Sequence, residues 1–204
     1  MNTYAQLKTT IADYLNRDDL TTIIPTFIQM AEAKFNRKLR VRQMIKRATA
    51  PIDTAFFAYP SDWLEAKEFQ LNTNPITRLE FVTEDYGNFL RQSRFVAAGK
   101  PRYYSVVGSQ LEFIPTPDTT YEGELTYYAK IPALSDSNTS NWLLAYAPDL
   151  YLYGALVEAE PYLKNDERLA IWVDLYLRSI QDIEVADERA SVASTPLMRA
   201  RSLG

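Results

Sequence analysis

Hydrophobic positions in this chain change their period twice, which divides it into three stretches. In the first, Tyr4, Leu7, Ile11, Tyr14 and Leu15 recur at three- and four-residue steps, the pattern of an amphipathic helix. Thr3 is placed to cap that helix, with Gln6 three residues on as its capping-box partner. Asn16-Arg17-Asp18 ends it. A second helix opens at Ile24-Pro25, since proline is tolerated in a first helical turn. Phe27, Ile28, Ala31, Phe35 and Leu39 form its apolar stripe, and Glu32, Lys34, Arg37, Lys38 and Arg40 its polar face. The short link between the helices favours an antiparallel hairpin over residues 1–42.

From Gln43 the helical period fades, and residues 43–134 read as β-rich and punctuated by proline. Ala48 to Asp53 reads as a strand, Asp53-Thr54 as a turn, and Ala55 to Tyr59 as the returning strand. Trp63 to Leu71 and Ile76 to Phe81 flank an Asn72-Thr73-Asn74-Pro75 turn. Thr83-Glu84-Asp85 can cap a short helix reaching about Arg91, with the acids where a helix N-terminus favours them. Arg102 to Val107 and Gln110 to Ile114 form the clearest hairpin. Gly108-Ser109 between them matches the type II′ preference for glycine first. Tyr121 to Lys130 is the final strand.

After the polar link Ser135 to Ser140, helical spacing returns over residues 141–190. Asn141 or Asp149 can cap it, and Pro148 fits a first turn. Leu150, Tyr151, Gly154, Ala155 and Glu158 share one face, and Gly154-Ala155 allows another element to approach closely. Pro161 ends or kinks this helix. Asn165 or Asp166 caps the last one, in which Leu169, Trp172, Val173, Tyr176, Ile180 and Ile183 or Glu184 continue at helical spacing. Residues 191–204 read as a flexible tail, small, polar and basic, with an isolated Leu197-Met198 pair. The layout predicts an α+β protein, with a helical body built from N- and C-terminal helices and an inserted antiparallel β-rich subdomain.

Composition narrows the function. A 47% hydrophobic share is enough for a core, and 204 residues fit one domain or a domain with a subdomain. The net charge of −4 argues against a protein whose main task is coating DNA or an anionic membrane. It is compatible with DNA passing close by, because an acidic surface repels phosphate. No Cys and no His occur, which excludes Cys/His zinc sites, thiol nucleophiles, disulfides and an imidazole base. The N-terminus lacks the pattern of a secretory leader, and no apolar run approaches the ~20 residues of a membrane span. A soluble protein with no membrane partner is expected.

Catalytic motifs are missing as well. The six glycines form neither a dinucleotide fingerprint nor a phosphate loop. Glu122 and Glu124 share a strand face, but nothing nearby shapes a cleft for two-carboxylate hydrolysis. Asp53, Asp62, Asp118 and Asp136 lie in turns, where Asp is favoured by its own backbone hydrogen bonds. No catalytic, cofactor-binding or metal-binding residue is assigned, and no enzyme is expected.

Two features could serve binding. Arg37-Lys38-Leu39-Arg40-Val41-Arg42, with Lys46-Arg47, is the most basic stretch; it suits a nucleic-acid or acidic-partner contact, or more plainly a solvated helix end. Tyr103-Tyr104 and Tyr127-Tyr128 each place one ring on either face of a strand. These four are candidate subunit-contact aromatics, or the lining of a glycan- or ligand-binding module.

Several stretches in order resemble the head-to-tail adaptors (connectors) of tailed bacteriophages, of the kind found in short-tailed phages. They are Thr3-Tyr4-Ala5-Gln6-Leu7, Ile11-Ala12-Asp13-Tyr14-Leu15-Asn16-Arg17, Ile24-Pro25-Thr26-Phe27-Ile28-Gln29 and Leu39-Arg40-Val41-Arg42. They continue with Tyr59-Pro60-Ser61-Asp62-Trp63-Leu64-Glu65, Gly99-Lys100-Pro101-Arg102-Tyr103-Tyr104 and Tyr127-Tyr128-Ala129-Lys130-Ile131-Pro132. Asn141-Trp142-Leu143-Leu144 and Pro148-Asp149-Leu150-Tyr151-Leu152-Tyr153-Gly154 complete the set. The resemblance implies a structural virion protein at the capsid–tail junction, made in the host bacterial cytoplasm. It implies a ring, usually of twelve copies, below the portal protein, which extends the DNA channel and docks tail or nozzle proteins. Double-stranded DNA would pass through without sequence-specific contact. By the same resemblance the C-terminal arm reaches the portal, which makes Pro196, Leu197, Met198, Arg199 and Arg201 candidate portal contacts. A tail of this composition can order on binding.

Overall fold

The computed structural model describes residues 1–17, 19–95, 97–163 and 168–193. In chain order the elements begin with α1 (Tyr4–Leu15), α2 (Ile24–Lys38), β1 (Ile45–Ile52), β2 (Phe56–Ala58), β3 (Trp63–Leu71) and β4 (Thr77–Phe81). They continue with α3 (Glu84–Ser93), β5 (Tyr103–Val107), β6 (Gln110–Ile114), β7 (Tyr121–Ala129), α4 (Trp142–Tyr146), α5 (Pro148–Leu163) and α6 (Leu169–Ala193). The chain is α+β and divides into two compact units. One contains Met1–Gln43 with Ile131–Gly204, the other Met44–Lys130.

The helical unit is organised around α5. Leu150, Tyr151, Leu152, Gly154, Ala155, Leu156, Glu158 and Ala159 are all buried, so this helix is covered on nearly every side. Its neighbours are α1, α2, α4 and α6. Gly154 explains the close approach of α2. A Cβ built there would lie 2.8 Å from Cζ of Phe35, whose ring also meets Tyr151 edge-on at 5.2 Å. Thr3 caps α1 by accepting from the Gln6 N–H at 3.3 Å, while Gln6 Oε1 accepts from the Asn2 N–H at 2.9 Å. Asn16 stops the helix in the left-handed region at φ 53°, a conformation asparagine tolerates.

Some helical expectations need correction. Tyr14, placed on the apolar stripe of α1, is 45% exposed. Glu32, placed on the polar face of α2, is 5% exposed. Position 32 is one turn from both Ile28 and Phe35, so helical geometry carries it inward with them. Pro161 does not end α5, which runs on to Leu163; the proline sits in the last turn. α6 continues to Ala193, past the expected end at residue 190. The candidate caps Asn165 and Asp166 lie outside the described residues.

The second unit is a seven-stranded sheet in the order β1-β7-β3-β4-β5-β6-β2. β1 and β2 do not pair as the expected hairpin. β1 pairs antiparallel with β7 (Ile45 opposite Tyr128) and β2 with β6 (Phe57 opposite Leu111). The Asp53-Thr54 link therefore crosses between opposite ends of the sheet order. One pairing, β4 with β5, is parallel, so the sheet is mixed rather than wholly antiparallel. The β5–β6 turn has Gly108 at φ 59° and no positive φ at Ser109, which fits type II′ and not type I′.

Ile52, Phe69, Leu79, Tyr104, Phe113, Leu125 and Tyr127 form the core on one face of the sheet. Residues of both end strands, Ala48 and Ile52 of β1 and Phe57 of β2, line one apolar cavity of about 230 Å³, so the sheet is strongly curled. A Cβ on Gly123 would lie 2.7 Å from Ile52 Cγ1 and 2.9 Å from Phe69 Cζ, so only glycine fits that inner position of β7. On the opposite face, α3 covers β5 and β6 through Leu90 and Ile114. Thr83 Oγ1 caps α3 by accepting from the Tyr86 N–H at 3.4 Å.

Candidate interaction surfaces

The polar groups inside the helical unit fix one irregular segment. Glu32 and Asn36 stand one turn apart on α2. Glu32 Oε1 accepts from the Leu134 N–H at 2.8 Å, and Asn36 Oδ1 accepts from the Ile131 N–H at 2.8 Å. Asn141 Nδ2 donates to the Pro132 carbonyl at 2.7 Å and to the Tyr151 hydroxyl at 2.6 Å. Its Oδ1 accepts from the Leu144 N–H at 2.8 Å, capping α4. Side chains thus supply the partners that the strap 131–141 lacks from secondary structure. Burial pushes the Glu32 carboxyl pKa up, against the two hydrogen bonds it accepts. Burial also raises the Tyr151 hydroxyl, and the neighbouring Glu32 carboxylate adds to it.

The basic stretch is largely occupied within the chain. Arg40 Nη1 donates to the Asn36 and Leu39 carbonyls at 2.9 and 2.7 Å, at the C-terminus of α2. Arg42 pairs with Asp187 of α6 at 2.9 Å through Nε, and its backbone N–H donates to the same carboxylate. Lys46 pairs with Asp62 at 2.6 Å and Arg47 approaches Glu124 at 3.6 Å. This supports the plainer reading of that stretch, a helix end with compensated cations.

The four candidate tyrosines are not brought together. β3 and β4 separate β5, which carries Tyr103 and Tyr104, from β7, which carries Tyr127 and Tyr128. Tyr104 and Tyr127 are core residues, each 4% exposed. The Tyr127 hydroxyl donates to Asp62 Oδ1 at 2.9 Å; burial and that carboxylate push its pKa up to about 12. Burial works against the Asp62 carboxylate, but hydrogen bonds from Lys46 and Tyr127 outweigh it and hold its pKa below the usual range. Tyr103 is half-buried against Phe95, and Tyr128 is half-buried with Lys67 over its ring. No row of accessible rings forms from these four. Pro196, Leu197, Met198, Arg199 and Arg201 lie outside the described residues.

Sequence reading missed two surface features. Tyr86 and Phe89 stack on the outer face of α3, 50% and 59% exposed, with ring centroids 6.1 Å apart. A hollow of about 470 Å³ beside the start of β5 is lined by Arg94, Lys100 and Arg102 and, among the described residues, by no carboxylate. These cations are scattered along the sequence, so no run of charge announces them. Beneath α3, Glu112 is 1% exposed and accepts hydrogen bonds from Arg91 and, at 3.0 Å, from the Ser105 hydroxyl. Among the described residues no helix is long and apolar enough to cross a membrane.

The SU10 adaptor protein family model matches residues 2–200. The chain belongs to that family, and so to the structural head-to-tail adaptors of phages, which are virion components. No curated protein matches the chain significantly.

Proposed function

We propose that this adaptor assembles as a ring, of twelve copies as in other head-to-tail adaptors, below the portal at the capsid–tail junction. The ring extends the DNA channel and presents a docking platform for tail or nozzle proteins. The observation that carries this reading is the family match across residues 2–200, nearly the whole chain. The sequence supports it with an acidic balance of −4, which suits a channel that must let phosphate pass without holding it. The burial of Tyr104 and Tyr127 removes half of the aromatic set a glycan-binding module would need. In this reading Tyr103 and Tyr128, both half-buried, pack against a neighbouring subunit.

In this reading the C-terminal arm reaches the portal, with Pro196, Leu197, Met198, Arg199 and Arg201 as its contact residues. Cosedimentation with purified portal oligomer of the same phage tests the arm. Full-length chain is expected to travel with the portal, and chain lacking residues 194–204 is expected to stay behind. Undiminished binding by the truncated chain would remove the arm from the contact.

A further inference from the structure

The hollow beside β5 gathers cations in a chain that is acidic overall. Arg94 closes the C-terminus of α3, Lys100 lies in the segment leading to β5, and Arg102 immediately precedes that strand. Arg94 and Arg102 are exposed, and among the described residues the Lys100 ammonium donates only to the Thr73 hydroxyl, at 2.9 Å. Among the described residues no carboxylate pairs with any of the three. Arg102 also lines an adjoining hollow with Arg78, which Glu68 neutralises at 2.5 Å, and Glu80.

The complementary feature is the second half of α6. Asp182, Glu184, Asp187 and Glu188 follow within two turns, against the single cation Arg189. Asp187 is taken by Arg42. Asp182, Glu184 and Glu188 are exposed, and none has an ion-pair partner among the described residues. Glu184 and Glu188 are one turn apart and so share a face.

We propose that the Arg94–Lys100–Arg102 hollow of one copy receives the Glu184–Glu188 face of α6 from a second copy. Two different surfaces of one chain that fit each other make a heterologous contact, and such contacts close into rings when the rotation allows. Charge sets the register and orientation of that contact more than its affinity. The inference rests on the ring reading above and names the surfaces that would build the ring.

Charge exchange tests it. Lys100→Glu/Arg102→Glu reverses the hollow and Glu184→Lys/Glu188→Lys reverses the helix face. Each full-length variant, checked for native circular dichroism, is mixed with portal oligomer, and copies bound per portal are counted by mass measurement. Should either reversal unfold the chain, Arg102→Gln and Glu184→Gln replace them; each then weakens filling by loss of an opposite charge, and their mixture is expected to give no rescue. Each variant alone should need about tenfold more protein to fill the ring, because like charges now face each other. An equimolar mixture should restore filling, since each kind of contact again pairs opposite charges. Normal ring filling by both reversals would overturn this interface and leave the ring reading standing. Failure of the unaltered chain to bind in multiple copies would overturn both. Loss of duplex-DNA retention with normal ring filling in Lys100→Glu/Arg102→Glu would assign the hollow to phosphate and overturn the proposal.

Discussion

The Tyr151 hydroxyl donates a hydrogen bond to the buried Glu32 carboxylate at 3.0 Å, joining α5 to α2 across the centre of the helical unit. The same carboxylate oxygen holds the Leu134 N–H, and the same hydroxyl accepts from Asn141. The network therefore ties both core helices to the strap that returns from the β unit. Tyr151→Phe should cost about 1–3 kcal/mol, because it leaves buried partners unsatisfied. Urea denaturation checks this, and no loss would show that the network adds nothing to stability.

Glu32 also predicts a pH dependence. Its pKa is raised in the fold by burial, so at pH values between the unfolded and the raised pKa the native chain holds a proton that the unfolded chain has released. Its ionised form weakens the fold above the raised pKa, and that weakening is relieved as pH falls through it. Glu32→Gln keeps an oxygen that can accept both hydrogen bonds and removes the charge. The variant should be at least as stable as the parent at pH 7, and the difference should shrink as pH falls into the range where Glu32 protonates. Denaturation midpoints measured across that range give the answer; a variant less stable at pH 7 would contradict it.

Glycine acts as a packing residue in each unit. Gly154→Ala drives a methyl group to within 2.8 Å of the Phe35 ring, and Gly123→Ala to within 2.7 Å of Ile52. Neither contact ends on a flexible side-chain tip that can swing away, so each change should lower stability by about 1–3 kcal/mol. Thermal melts of the two variants measure it. Gly108→Ala differs in mechanism: nothing crowds its Cβ, but φ +59° opposes any L side chain.

The buried acid beneath α3 makes a separate prediction. Arg91→Leu leaves Glu112 with the Ser105 hydroxyl and no cation, at 1% exposure. A stranded buried charge of this kind should destabilise by about 3 kcal/mol, and the added change Glu112→Leu should recover most of it. A double-mutant cycle in urea would detect the coupling; additive losses would show that the two side chains do not act as a pair.

Local signals were legible in the sequence. Thr3 and Thr83 cap their helices, Pro25 lies in the first turn of α2, and Gly108-Ser109 forms the expected turn. What depends on distant partners was not. Ala48–Asp53 and Ala55–Tyr59 look like a hairpin because a turn joins them, yet their partners lie in β7 and β6, more than fifty residues on. Alternation in β5 and β7 shows that successive tyrosines face opposite sides, but not that β3 and β4 stand between those strands. Glu32 misleads because a carboxylate at a core position has meaning only once Tyr151 and the Leu134 N–H are seen beside it. The basic hollow is hidden in the same way, since Arg94 and Arg102 meet through folding and not through adjacency.

The most direct test of the adaptor reading is electron microscopy of the chain mixed with purified portal oligomer of the same phage. The account predicts a second ring stacked on one end of the portal, with rotational symmetry of twelve and an open channel continuous with the portal's own. Portal particles unchanged by a large excess of the chain, or decorated by it without a ring, would contradict the account.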